Sequence, residues 1–206
     1  MNYALKNKII SILSLFLLSI SLLTSTSLYA DKSGSYEAKF NKSGEMIRPE
    51  GWREWVFVGS PVTPNSLNNG AAPFPEFHSV YVDPKSWEQW KKTGTFREGT
   101  MFAKELTSVG ATKASSGVGF FNGELMGFEI AHKDSKRYSK ETNGWQYYTF
   151  GHKAEPYNNS AAAMPIAACA ACHVGAAADD MVFTQYYPIL RVSKKAGDKG
   201  AGVGGM

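Results

Sequence analysis

The stretch Ala168-Cys169-Ala170-Ala171-Cys172-His173 constrains this chain of 206 residues more than any other. Its cysteines are the only two present, they stand two residues apart, and a histidine follows at once. On a helix, positions i, i+3 and i+4 share one face, so Cys169, Cys172 and His173 project together. Cys-x-x-Cys-His is the attachment pattern of a single haem c, bound covalently through thioethers from Cys169 and Cys172, with the His173 imidazole as the protein's metal ligand on the proximal side. A zinc site would need four ligands, and no further cysteine completes one. A thioredoxin-like dithiol needs no adjacent histidine and favours a βαβ context, which this sequence lacks.

The N-terminus points to export. Lys6 and Lys8 form a positive start, Ile9 to Leu23 an apolar run, and Thr24 to Ala30 a small and polar end. Residues 1–30 therefore read as a signal peptide cleaved near Ala30, with the periplasm as destination. Leu28 is a poor residue at the third position before the cut, so the bond broken could shift by a few residues. An uncleaved anchor is the alternative, and the run falls short of a comfortable membrane span. Residues 31–47 are polar and read as a flexible lead-in. Residues 48–192 have the length of one domain, and the Lys/Gly-rich residues 193–206 read as a disordered tail. The chain's 22 basic and 18 acidic residues include two lysines and no acid in the first thirty, so what remains is nearly balanced. Without a basic cluster, that balance argues against a nucleic-acid partner.

Along the chain, Pro49 to Glu54 suggests one helical turn and Trp55 to Val58 a buried strand. Residues 59–75 hold four prolines and Asn68-Asn69-Gly70, which predicts a long loop. Phe77 to Val82 alternates as a second strand. Asp83-Pro84 is a helix start and Gly94 its stop. Thr100 to Val109 and Gly119 to His132 read as strands around a glycine-rich turn, residues 133–140 as a short helix, and Trp145 to Phe150 as a strand. Helical signals return over residues 160–173 and 179–190. The expected fold is α+β: one domain rich in antiparallel sheet, with a C-terminal helical segment carrying the haem against it.

Several blocks, in order, resemble the cytochrome P460 family. They are Arg53-Glu54-Trp55-Val56-Phe57-Val58-Gly59, Val62-Thr63-Pro64-Asn65, Val80-Tyr81-Val82-Asp83-Pro84, Trp90-Lys91-Lys92-Thr93-Gly94, Phe96-Arg97-Glu98-Gly99-Thr100, Lys104-Glu105-Leu106 with Ser108-Val109-Gly110, and Asp180-Met181-Val182-Phe183-Thr184. The resemblance runs from about Arg48 to Arg191. It implies a monohaem, usually homodimeric cytochrome with five-coordinate iron, which oxidises hydroxylamine to nitric oxide or nitrous oxide and passes electrons to an acceptor, here expected to be a soluble c-type cytochrome. The related cytochromes c′-beta share the fold and bind small gases such as nitric oxide without turnover.

The resemblance also implies two site residues. Lys104 occupies the position of the lysine that cross-links to the haem. It is flanked by Phe102, Ala103 and Leu106, and a lysine in apolar surroundings can become a nucleophilic amine. Glu129, in Gly127-Phe128-Glu129-Ile130, occupies the place of the distal carboxylate, after a turn that reads one residue short. Strand alternation sets Glu129 on the face of Gly127 and Ala131, away from Phe128 and Ile130. There it would accept protons during hydroxylamine oxidation, with a solvent-facing glutamate as the plain alternative. His78, His132 and His152 are weaker candidates for a sixth ligand or proton relay. Met181 is too near His173 in sequence to reach the opposite side of a haem, and Tyr186, Tyr187 and Arg191 follow the haem helix. Plain electron transfer would need a strong sixth ligand that no residue obviously supplies.

Overall fold

The computed structural model describes residues 36–192. The signal peptide expected over residues 1–30 and the tail over 193–206 lie outside the described residues. In chain order the strands are β1 (Lys39–Phe40), β2 (Met46–Ile47), β3 (Val56–Gly59), β4 (Phe77–Val82), β5 (Met101–Val109), β6 (Lys113–Ala114), β7 (Gly117–Val118), β8 (Asn122–Lys133), β9 (Trp145–Thr149) and β10 (Ser160–Ala161). The helices are α1 (Pro84–Thr93), α2 (Ile166–Ala176) and α3 (Pro188–Val192). The fold is α+β, as expected.

Five strands form one antiparallel sheet in the order β3-β4-β5-β8-β9. The long β5–β8 pair is its centre, and the glycine-rich turn between them carries the small β6–β7 hairpin. Aromatic and branched residues dominate both faces because both are covered. On one face Val80, Val82, Phe102 and Tyr147 pack with Trp90, Phe96, Val182, Tyr187 and Leu190 from the helical elements. On the other, Ala103, Phe128, Ile130 and Tyr148 pack with Met46, Trp52, Trp55 and Tyr157. Successive strand residues point to opposite faces, so the two cores are read from alternate positions of the same strands.

Helix α1 starts and stops where its sequence dictates. The Asp83 carboxylate accepts from the Ser86 amide at 2.9 Å and Pro84 fills the first turn. Gly94 closes the helix at φ 68°, its amide bonded to the Trp90 carbonyl at 2.8 Å. Trp90 then stacks on Phe96 at 4.3 Å and donates its indole N–H to the Leu190 carbonyl at 3.0 Å, fastening α1 to α3.

Four expectations are corrected. The lead-in expected over residues 31–47 instead holds β1 and β2, and β2 also pairs with β10. The Asn41 side chain accepts from the amides of Ser43 and Glu45, at 3.0 Å each, to build the hairpin turn, and Met46 is wholly buried. The helix expected over residues 133–140 is a turn, because the Asp134 carboxylate captures the amides of Lys136 and Arg137. The helix expected over 160–173 starts only at Ile166, since Pro165 disfavours helical geometry in Met164, whose amide instead bonds the Tyr147 carbonyl at 2.9 Å. The helix expected over 179–190 shrinks to α3, because Asp180 and Met181 adopt φ of 45° and 65° in a tight turn.

Candidate functional site

On the sheet face covered by the helices, Lys104 of β5 and Glu129 of β8 stand directly opposite each other. The register aligns Val80, Lys104, Glu129 and Thr149 across four strands. Lys104 Nζ and Glu129 Oε2 are 2.5 Å apart, and Glu129 Oε1 lies 2.8 Å from His152 Nε2. Glu129 therefore faces inward, on the face of Gly127 and Ala131, as alternation predicts. Burial pushes its carboxyl up, but the hydrogen bond from His152 and the charge and hydrogen bond of Lys104 reverse this and hold it at about 2. His152 is raised in turn, first by its hydrogen bond to Glu129, against the burial that lowers it.

Helix α2 brings the second set. Its sequence has no charged side chain other than His173, yet among its residues only Ala170 is fully buried. Cys169 packs against the core, whereas Cys172 is exposed, and neither is in a disulfide. Burial raises the Cys169 thiol, and the Glu129 charge raises it further while that of Lys104 opposes. The same two charges act on His173, which burial lowers first. The sheet pair and the helix triad thus belong to one site.

The His173 ring sits between Tyr147 and Phe183, with centroids 4.7 and 4.5 Å away. Its Nδ1 lies 2.6 Å from the Met181 carbonyl oxygen. A carbonyl only accepts, so Nδ1 carries the proton and the Nε2 lone pair is left for a metal.

These features fit a haem. An apolar helix with one buried residue needs cover from something other than solvent, and a macrocycle supplies it. The Tyr147 hydroxyl, close enough to feel the Cys169 charge, is buried with no hydrogen-bond partner among the described residues. That orphaned polar group lies in the same site as Cys169.

The weaker candidates separate. His132 points to the other face, bonded to the Tyr138 hydroxyl at 2.8 Å. His78 shares the Lys104 face, is lowered by burial and by the Lys104 charge, and stands 3.6 Å from Glu76 Oε1. Met181 contributes its carbonyl. Tyr187 packs on Gly59, Tyr186 is exposed against Phe183, and the Arg191 guanidinium donates to the Gln185 carbonyl. Sequence reasoning missed the residues behind Met181: Lys133, Asn143, Trp145 and the carboxylate of Asp180, which gather through long-range bonds.

An antiparallel sheet face beneath a Cys-x-x-Cys-His helix defines the class, a haem-binding cytochrome. The family described as Cytochrome P460 matches residues 49–184, and the chain belongs to that family. It is accordingly a haem protein of cytochrome c type, in a family of oxidoreductase character. No curated protein matches the chain.

Proposed function

We propose that the protein is a periplasmic enzyme that oxidises hydroxylamine to nitric oxide or nitrous oxide and hands electrons to a soluble c-type cytochrome, working as a homodimer. One observation carries this reading: Glu129 is inward-facing, on the sheet face that also carries Lys104 and meets the Cys169 and His173 helix. Cys169 and Cys172 would hold the haem through thioethers, His173 Nε2 would be its single protein ligand, and Lys104 would be joined to the macrocycle. When bound, the haem supplies the redox centre that withdraws electrons from the substrate nitrogen.

The chain's own task is then proton removal. Glu129 is ionised at neutral pH and can accept a proton from substrate at either carboxylate oxygen. A carboxylate held near 2 is a weak base, and the nearby Lys104 cation is one cause. A Lys104 nitrogen held in a bond to the macrocycle would no longer carry that charge. Burial, which pushes Glu129 up, would then carry more weight and favour a more useful basicity. His152, at 2.8 Å and exposed to solvent, gives the proton an exit.

The test is hydroxylamine turnover with an artificial acceptor. Glu129→Gln should retain haem attachment and nitric oxide binding while turnover falls about a hundred- to ten-thousand-fold, the usual range for a lost general base. Parent-like turnover in Glu129→Gln removes the base. A parent protein that binds nitric oxide without oxidising hydroxylamine belongs instead with the gas-binding c′-beta cytochromes.

A further inference from the structure

We propose that Lys133 and Asp180 form a clamp that positions the Met181 carbonyl against His173, and so sets how strongly that imidazole donates to the haem iron. The inference rests on His173 being the iron ligand.

The Met181 carbonyl accepts the Nδ1 proton of His173 at 2.6 Å. Such a bond fixes the tautomer and makes Nε2 a stronger donor, so its geometry tunes the metal. That carbonyl belongs to a turn with two successive non-glycine residues at positive φ, Asp180 at 45° and Met181 at 65°. Backbone of this kind persists only where its surroundings over-determine it. The turn is closed by the Val182 amide on the Asp179 carbonyl at 2.7 Å, and the Thr184 hydroxyl bonds the Asp179 carboxylate.

What holds the turn to the sheet is the Asp180 side chain. Lys133 Nζ reaches both of its oxygens at 3.0 Å, Asn143 Nδ2 donates at 2.5 Å and Trp145 Nε1 at 3.2 Å. Lys133 is itself buried, bonded also to the Asn143 carbonyl at 3.1 Å and placed 5.4 Å from the centre of the Trp145 ring. A buried lysine is rare unless paired, and this one is paired to the residue preceding the carbonyl that His173 uses. Lys133 and Trp145 face each other across β8 and β9, two residues along from the Ala131–Tyr147 pair. Tyr147 is also the ring that packs on His173. The clamp and the ring contact thus locate the imidazole from one stretch of sheet.

The test uses the haem-loaded protein and reads two properties that a purely structural role leaves alone: the ferrous iron–histidine stretching frequency and the reduction midpoint. Asp180→Gly removes the carboxylate but welcomes a positive φ, so it separates the anchor from backbone strain. Lys133→Met removes the cation at similar length. Each should lower the stretching frequency and shift the midpoint to more positive potential, because a weaker donor stabilises ferric iron less. The double variant should shift no further than Asp180→Gly alone, since the two act as one unit. If Asp180→Gly gives no folded protein, Asp180→Asn, which keeps an acceptor for Asn143 and Trp145 but not the lysine's counter-charge, carries the same two readings. Parent-like stretch and midpoint in either single variant, with only melting temperature reduced, overturn the clamp. Absence of any iron–histidine stretch in the parent overturns the ligand assignment itself.

Discussion

Lys104 and Glu129 are a cross-strand pair whose charges meet inside a partly closed site, and the two residues answer different questions. Lys104 asks a covalent one. Digestion of the mature protein should release the Lys104 peptide joined to the haem peptide of Cys169 and Cys172, and Lys104→Ala should abolish that species. Full recovery of an unmodified Lys104 peptide from active protein would contradict the assignment. His132 asks a question about stability. Burial behind the Tyr138 hydroxyl holds its imidazole down at about 4. Its folded value lies below the unfolded value of about 6.5, so between those two pH values the unfolded chain binds a proton that the native state refuses. The contribution is therefore complete above pH 6.5 and is lost as pH falls toward 4, by on the order of 3 kcal/mol at about 1.4 kcal/mol per unit. Urea unfolding midpoints measured across that window should fall steeply for the parent. They should fall much less for His132→Gln, which cannot titrate.

At the scale of elements, Asp83 decides where a helix begins and also where it sits. The carboxylate is fully buried and accepts from the Ser86 amide, the Met101 amide at 2.9 Å and the Arg97 guanidinium at 3.2 Å. It therefore caps α1, fixes the start of β5 and compensates a mostly buried arginine in one place. Asp83→Ala should cost about 3 kcal/mol, more than a lost cap alone, because two amides and a guanidinium lose their acceptor. Asp83→Asn, which keeps one acceptor oxygen for the cap, should cost less, and chemical denaturation would rank the pair. Legibility in the sequence follows the same logic. The Asp-Pro start and Gly94 stop of α1 were readable because a cap acts through neighbours in the chain. The turn after β8 reads as a helix from sequence, although its cause, Asp134 capturing nearby amides, is just as local. Charged residues in short runs suit both outcomes. The late start of α2 needed Met164 to find the Tyr147 carbonyl, a partner seventeen residues away.

At the scale of the whole molecule, one sheet separates two cores and assigns them different work. One face meets α2 and the site residues, and the other is sealed by the β1–β2–β10 sheet and Met46. Met46→Ala should destabilise the protein by about 2–5 kcal/mol, the usual range for emptying a buried site of that size. It should leave the electron paramagnetic resonance of the ferric haem unchanged, since Met46 packs on the opposite face. A changed resonance would mean that the two faces are coupled more tightly than the packing implies.

The Cys-x-x-Cys-His motif, the alternation that turns Glu129 away from Phe128 and Ile130, and the ends of α1 are all legible along the chain. Each depends on helical or strand period, or on bonds between residues close in the chain. The sequence also carries the family, through blocks spread over most of the domain. That Lys104 faces Glu129, that His152 completes their contact, and that Lys133 reaches Asp180 from forty-seven residues away follow from the folded chain alone. Register is set by the pairing of whole strands, and the ion pairs exist only after two distant segments have been brought together. The chain carries the Cys-x-x-Cys-His pattern in one short stretch, and the folded sheet decides which charges surround it.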